Sequence, residues 1–129
     1  MPPTNKGRQT EAAFLDAARR TFAEKGYLNT KISDISAAAG RSTGSFYNYY
    51  DSKDRLLEAL LDQFADEVVE QSLATRHTEP EASVRAAVTA YWTTYKKYLP
   101  EIIGLFQMSM TDDDFRNRWL ANRVSGVKQ

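Results

Sequence analysis

The stretch Thr30–Leu57, TKISDISAAAGRSTGSFYNYYDSKDRLL, decides how the rest of the chain is read. Ile32, Ile35 and Ala39 recur at helical spacing, and Thr30 stands where an N-cap is expected. Gly40 follows at the point where the chain must leave that helix, a position that favours a residue tolerant of positive φ. Ser42 can cap a second helix two residues later, so the connection is short. Two short helices joined by such a turn make a helix-turn-helix, whose second helix enters the major groove of DNA. A third helix then opens at Ser52.

The residue types suit that task. Thr43, Gly44 and Ser45 are small enough for close approach to a groove, and their hydroxyls and first-turn amides can donate to phosphate or reach a base edge. Phe46 is expected to face inward. Tyr47 and Asn48 are expected to face the nucleic acid, the phenol suiting a phosphate and the amide an adenine. Lys53 lies in the first turn of the next helix, where a cation opposes the helix dipole; a phosphate across that helix end would remove the penalty. The string resembles the TetR family of bacterial transcription regulators. The elements that carry the resemblance, in order, are Thr30, Ala39-Gly40, Ser42-Thr43-Gly44-Ser45, Tyr47 and Ser52-Lys53. Two positions depart from the family pattern: Arg41 stands where an apolar residue is usual, and Thr43 where a lysine is frequent. Arg41 reads equally as a DNA contact or as a solvated turn residue. The expected DNA-contacting set is Thr30, Lys31, Arg41, Ser42, Thr43, Gly44, Ser45, Tyr47, Asn48 and Lys53.

Working outward, the chain is all-α in expectation. Residues 1–9 carry two prolines with Lys6 and Arg8 and read as a disordered basic arm. A helix from Thr10 to about Lys25 places Phe14, Leu15, Ala18 and Phe22 on one face, and Gly26 stops it. With the motif it completes a three-helix DNA-binding domain over residues 10–51. Residues 52–129 form the second region. A long helix from Ser52 to about Leu73 carries Leu56, Leu57, Leu60, Leu61, Phe64, Val68 and Val69. The polar run Thr75–Pro80 breaks it and contains His77, the only histidine, which has no visible partner and is assigned no function. A helix over Glu81–Leu99 follows, with Val84, Val88, Tyr91, Trp92, Tyr95 and Leu99 on one stripe. Pro100 suits the first turn of the next, and Asp112–Asp114 the start of the last. Those three aspartates read as acids at a helix N-terminus in preference to a metal site.

Composition narrows the function. The 129 residues contain no cysteine, which rules out disulfides and thiolate metal sites, and no segment reaches the roughly 20 apolar residues of a membrane span. No signal peptide is legible at the N-terminus, so a cytoplasmic location is the default. Overall charge balances at 17 against 17, but residues 1–55 hold nine basic and six acidic side chains, the reverse of the excess beyond them. A front half that meets a polyanion fits this asymmetry. An enzyme is disfavoured: Gly40–Ser45 loosely resembles a phosphate loop but lacks its lysine and its preceding strand. No catalytic residue, metal or cofactor is expected.

The family resemblance implies more than the residues do by themselves. It implies a helical rear domain holding a small apolar effector, here among Phe64, Tyr91, Trp92, Tyr95, Phe106, Met110 and Trp119, although spacing alone makes the same side chains a helical core. It implies a homodimer on a near-palindromic operator, and a repressor released when the effector moves the long helix. The rear domain of the family usually continues for several helices, so residues 52–129 read as a truncated effector and dimerisation domain with weakened dimerisation. The alternative is a DNA-binding or helical adaptor fragment without effector response.

Overall fold

The computed structural model describes residues 5–74 and 79–128. Among these, the chain forms helices α1 (Asn5–Lys25), α2 (Ile32–Ala39), α3 (Thr43–Tyr47), α4 (Lys53–Ala74), α5 (Pro80–Lys97), α6 (Leu99–Thr111) and α7 (Asp113–Lys128), with no strand. His77 and the expected loop residues 75–78 lie outside the described residues, as do residues 1–4 of the expected arm.

Helix α1 begins at Asn5, so residues 5–9, expected as a disordered arm, are its first turns. The extension has a visible support: Thr10 is buried, and its hydroxyl donates to the Lys6 carbonyl at 3.0 Å. Phe14, Leu15, Ala18 and Phe22 are all buried as expected, and Ala17 joins them. The two alanines let α2 lie close, and α1 packs more extensively on α2 than any other helix pair packs. Gly26 ends α1 at φ 81°, its N–H donating to the Phe22 carbonyl at 2.8 Å.

The start of α2 differs from expectation. Thr30 does not cap it: the side chain is buried and its hydroxyl donates backward to the Gly26 carbonyl at 2.8 Å. Lys31 holds the cap position instead, its N–H donating to Asp34 Oδ2 at 2.9 Å. Hydrogen bonds from the Lys31 amide and from Lys25 hold the Asp34 carboxyl below the usual carboxylate range. A threonine that bonds back into the preceding turn and one that bonds forward into a helix look alike in sequence.

The turn itself is as read. Gly40 is left-handed at φ 68°, and the N–H groups of Gly40 and Arg41 close the end of α2 on Ala37 and Ser36 carbonyls at 3.1 and 3.0 Å. Ser42 caps α3 by accepting from the Ser45 N–H at 3.1 Å. Phe46 is fully buried, its ring edge-on to Phe14 at 5.5 Å.

Helix α4 runs through both halves of the molecule. Leu56, Leu57, Leu60 and Leu61 are buried in one continuous core with Phe14, Phe46, Tyr98 and Phe115. Behind them, α5 and α6 join at the buried Tyr98, whose hydroxyl donates to Glu67 Oε1 at 2.6 Å. Burial, reinforced by that carboxylate, pushes the Tyr98 phenol up to about 12. Asp112 caps α7, accepting from the Phe115 N–H at 3.0 Å. The α5 stripe departs from expectation: Val84, Val88 and Trp92 are more than half exposed. The chief neighbour of α5 is α4, which lies along its small-residue side around Ala90 and the buried Thr94 and leaves these three side chains outside.

One buried group is open to a pH test. Glu101, in the first turn of α6, is 1% exposed, and its Oε1 stands 3.5 Å from Arg19 Nε of α1. Its Oε2 has no hydrogen-bond partner among the described residues. Burial pushes the carboxyl above the usual glutamate range, against the pull of Arg19. A carboxyl whose pKa rises on folding favours the fold while protonated, and that contribution fades as pH climbs through the folded value. Glu101→Gln is therefore expected to gain thermal stability relative to the parent as pH rises past the ordinary glutamate range. Melting temperatures of both proteins across a pH series check it; parallel curves would contradict it.

Candidate nucleic-acid interface

The five residues of α3 divide cleanly between core and exterior. Phe46 points into the head, while Arg41, Ser42, Thr43, Gly44, Tyr47 and Asn48 are exposed and Ser45 is half-buried. Tyr47, at 52% exposure, packs edge-on to Phe46. Nothing inside the protein requires glycine at position 44: a Cβ there would meet only Ser42 Oγ, at 3.9 Å. The absent side chain flattens the outer surface at the helix start. The first-turn amides of a helix have no intrahelical acceptor, so this end also offers donors. Lys31, at the start of α2, is exposed as well. The exposed side chains of the turn and α3 thus carry hydroxyls, the Asn48 amide and the Arg41 cation, groups of the kinds that pair with phosphates and base edges.

Two residues of the expected set are not on that face. Thr30 is 2% exposed, with its hydroxyl engaged at Gly26, and offers no side chain to a ligand. Lys53 turns inward: its ammonium donates to the carbonyls of Tyr27 at 2.8 Å and Thr30 at 3.0 Å. It also stands 4.2 Å from the centroid of the Tyr27 ring. Its misfit with the helix dipole is thus offset by two carbonyls and an aromatic face of the protein itself. Desolvation lowers the Lys53 pKa, with Asp54 opposing. Tyr27, the partner in this contact, was not singled out by the sequence; the only signal for it was the cation that needed a partner.

Behind the head lies an open cleft of about 350 Å³ between α4, α5, α6 and α7. Of the seven expected pocket residues, Phe64, Tyr91, Tyr95, Phe106 and Trp119 line it together, joined by Leu61, Ala65, Ile102 and Leu105. Trp92 and Met110 do not. Trp92 stacks on Tyr95 at 5.8 Å from the outer side of α5, and Met110 is 77% exposed at the far end of α6. Every lining residue is apolar or a tyrosine, so the cleft suits an apolar ligand with one or two hydroxyl contacts.

Arg118, next to Trp119 on α7, reaches back to the first turns of α4. It donates to Asp54 Oδ2 at 2.7 Å and to Glu58 Oε1 at 2.8 Å. Against the effect of desolvation, hydrogen bonds from Ser52 and Arg118 hold the Asp54 carboxyl below the usual range. Two of the three aspartates at the start of α7 are engaged: Asp112 caps, and Asp113 pairs with Arg116 at 3.1 Å. Among the described residues no group of three His, Cys, Asp or Glu side chains could hold a metal ion, and no helix is long and apolar enough to cross a membrane.

Known proteins share this helical fold and its head sequence. The family model described as bacterial regulatory proteins, tetR family, matches residues 14–60, from the core of α1 into α4. The HTH-type transcriptional repressor KstR2 of Rhodococcus jostii (strain RHA1) is 33% identical, over 95% of this chain and 66% of its own length. The repressor AcnR of Corynebacterium diphtheriae is 27% identical over 85% of this chain and 55% of its own. The chain thus spans about two thirds or less of the length of these relatives. A TetR family transcription regulator from Marinobacter aquaeolei VT8 superposes with a TM-score of 0.70 at 23% identity, covering 96% of this chain and 69% of that one. That likeness shows the shared all-α fold.

Proposed function

Because the chain belongs to the TetR family of bacterial regulatory proteins, we propose that it is a DNA-binding transcription regulator that represses until a small apolar ligand enters its rear cleft. The observation that carries the reading is the division of α3, with Phe46 locked inside and a small-residue polar face outside. Arg41 and Tyr47 are assigned to phosphates, with Lys31 beside them. Thr43, Ser45 and Asn48 are assigned to base edges, across the close approach that Gly44 permits. Lys53 is assigned to positioning and not to DNA. One such head gives limited affinity, so the protein acts as two copies on a near-palindromic site with half-sites about 34–36 Å apart or a multiple of that. It works where the chromosome is, in the cytoplasm.

Selection of bound duplexes from a random pool, followed by binding at several salt concentrations, tests the assignment. Arg41→Ala is expected to weaken binding to all sequences alike and to flatten the salt dependence by roughly one ion. Asn48→Ala is expected to relax preference at one base pair by about 1–3 kcal/mol. Unchanged salt slope and unchanged preference in the two variants would refute the interface. For the ligand, Trp92→Phe leaves Trp119 as the sole tryptophan, inside the cleft. Its fluorescence is expected to respond to small hydrophobic compounds, and silence across a broad panel would reduce the cleft to a packing defect.

A further inference from the structure

Tyr27 sits in the turn between α1 and α2, 2% exposed, and three elements meet on it. The Phe22 ring of α1 lies 5.1 Å away. Lys53 of α4 holds the Tyr27 carbonyl at 2.8 Å and the Thr30 carbonyl at 3.0 Å. From the third side comes the backbone of α6 at Gly104. A Cβ built there would stand 3.0 Å from Tyr27 Cγ, 3.1 Å from its Cβ and 3.3 Å from its Cδ1. Gly104 has an ordinary helical conformation, unlike Gly26 and Gly40, so glycine is needed there for this approach alone.

The same helix forms a wall of the rear cleft. Ile102, Leu105 and Phe106 line it, on either side of Gly104 in sequence. A helix moves as a stiff rod, and a contact with no free space passes displacement on to its neighbour. Any occupant that moves α6 must change its pressure on Tyr27. The turn that carries Tyr27 is pinned by Lys53 and reaches the first residue of α2, Ile32, five positions later. We propose that the Gly104–Tyr27–Lys53 contact is the joint through which occupancy of the cleft repositions α2 and α3, making Gly104, Tyr27 and Lys53 positioning residues for DNA binding. This rests on the regulator reading above. It places the route through α6 and the α1–α2 turn, beside any movement of α4.

The test reads the joint without DNA first. Gly104→Ala adds the methyl group that must push Tyr27. In the folded variant, amide hydrogen exchange over residues 27–35 is expected to quicken about tenfold while that of α5 stays as in the parent, a size ordinary for coupling between sites. Affinity for mixed-sequence duplex DNA is expected to fall by a similar factor. Because the exchange measurement needs no nucleic acid, failure of the parent to bind DNA would count against the regulator reading and leave the joint standing. Wild-type exchange over residues 27–35 in a folded Gly104→Ala protein would overturn the joint. Lys53→Met approaches from the other end, should the alanine variant not fold. By reciprocity it is expected to quicken exchange over residues 101–108 of α6, and Lys53→Arg, which keeps the donors, to restore it. Unaltered exchange in α6 of Lys53→Met would overturn the proposal as well, since a purely local role for Lys53 predicts that outcome.

Discussion

Phe46→Ala is expected to lower stability by about 3–5 kcal/mol, the range for removing a fully buried aromatic ring. The site has little means of collapsing to fill the space. Phe46 is 0% exposed, with Phe14 edge-on at 5.5 Å and Tyr50 at 5.8 Å. The loss should fall hardest on α3. A helix of five residues is far too short to form by itself in water, so docking of this ring is what makes the segment helical. Urea unfolding followed by circular dichroism, with duplex binding measured alongside, checks both effects. A wild-type midpoint would mean that α3 is held by something other than Phe46.

The second large effect is expected at Arg118. Its guanidinium bridges Asp54 and Glu58 at 2.7 and 2.8 Å, and Glu58 is 8% exposed. Arg118→Ala leaves two carboxylates facing each other in a partly enclosed site. Fully buried pairs lose about 3–5 kcal/mol when one partner goes; here the arginine keeps some solvent, so about 2–3 kcal/mol is expected. The difference carries a pH signature. Asp54 is held below its ordinary range, so its contribution is present at neutral pH and lost as pH falls through the folded value. The gap between parent and variant should therefore narrow in acid. Denaturation midpoints at neutral and acidic pH measure it, and a gap that stays constant would show that these contacts do not carry the stability.

The head was legible where causes are local. A left-handed glycine at position 40, a serine that caps three residues ahead and a phenylalanine at the inward position all act within a few residues of themselves. The start of α1 left no such mark, because its first turn holds no acid and its support is a threonine bonding backward. Lys53 shows the limit most clearly. Its electrostatic misfit could be seen, but its partners lie 23 and 26 residues away, and only the fold brings their carbonyls to it. The rear half fails for a different reason. Periodicity says which face of α5 is apolar; it does not say whether another helix covers that face, and Val84, Val88 and Trp92 stand exposed. Trp92 and Tyr95 share a stripe in the sequence, yet the rotation of α5 against α4 sends only Tyr95 into the cleft.

The division of α3 has a consequence for how such a protein can change over generations. Gly40, Ser42 and Phe46 hold the segment in place, with Tyr47 edge-on to Phe46, while Thr43 and Asn48 present exposed side chains outside that frame. Substitution at an exposed position away from caps and core typically alters stability by no more than about 0.5 kcal/mol. Exposed side chains of this kind can therefore be exchanged at little cost to the fold. Under the proposed assignment, a lineage could acquire a new address on the chromosome by a handful of surface changes, keeping the same frame and the same chamber behind it.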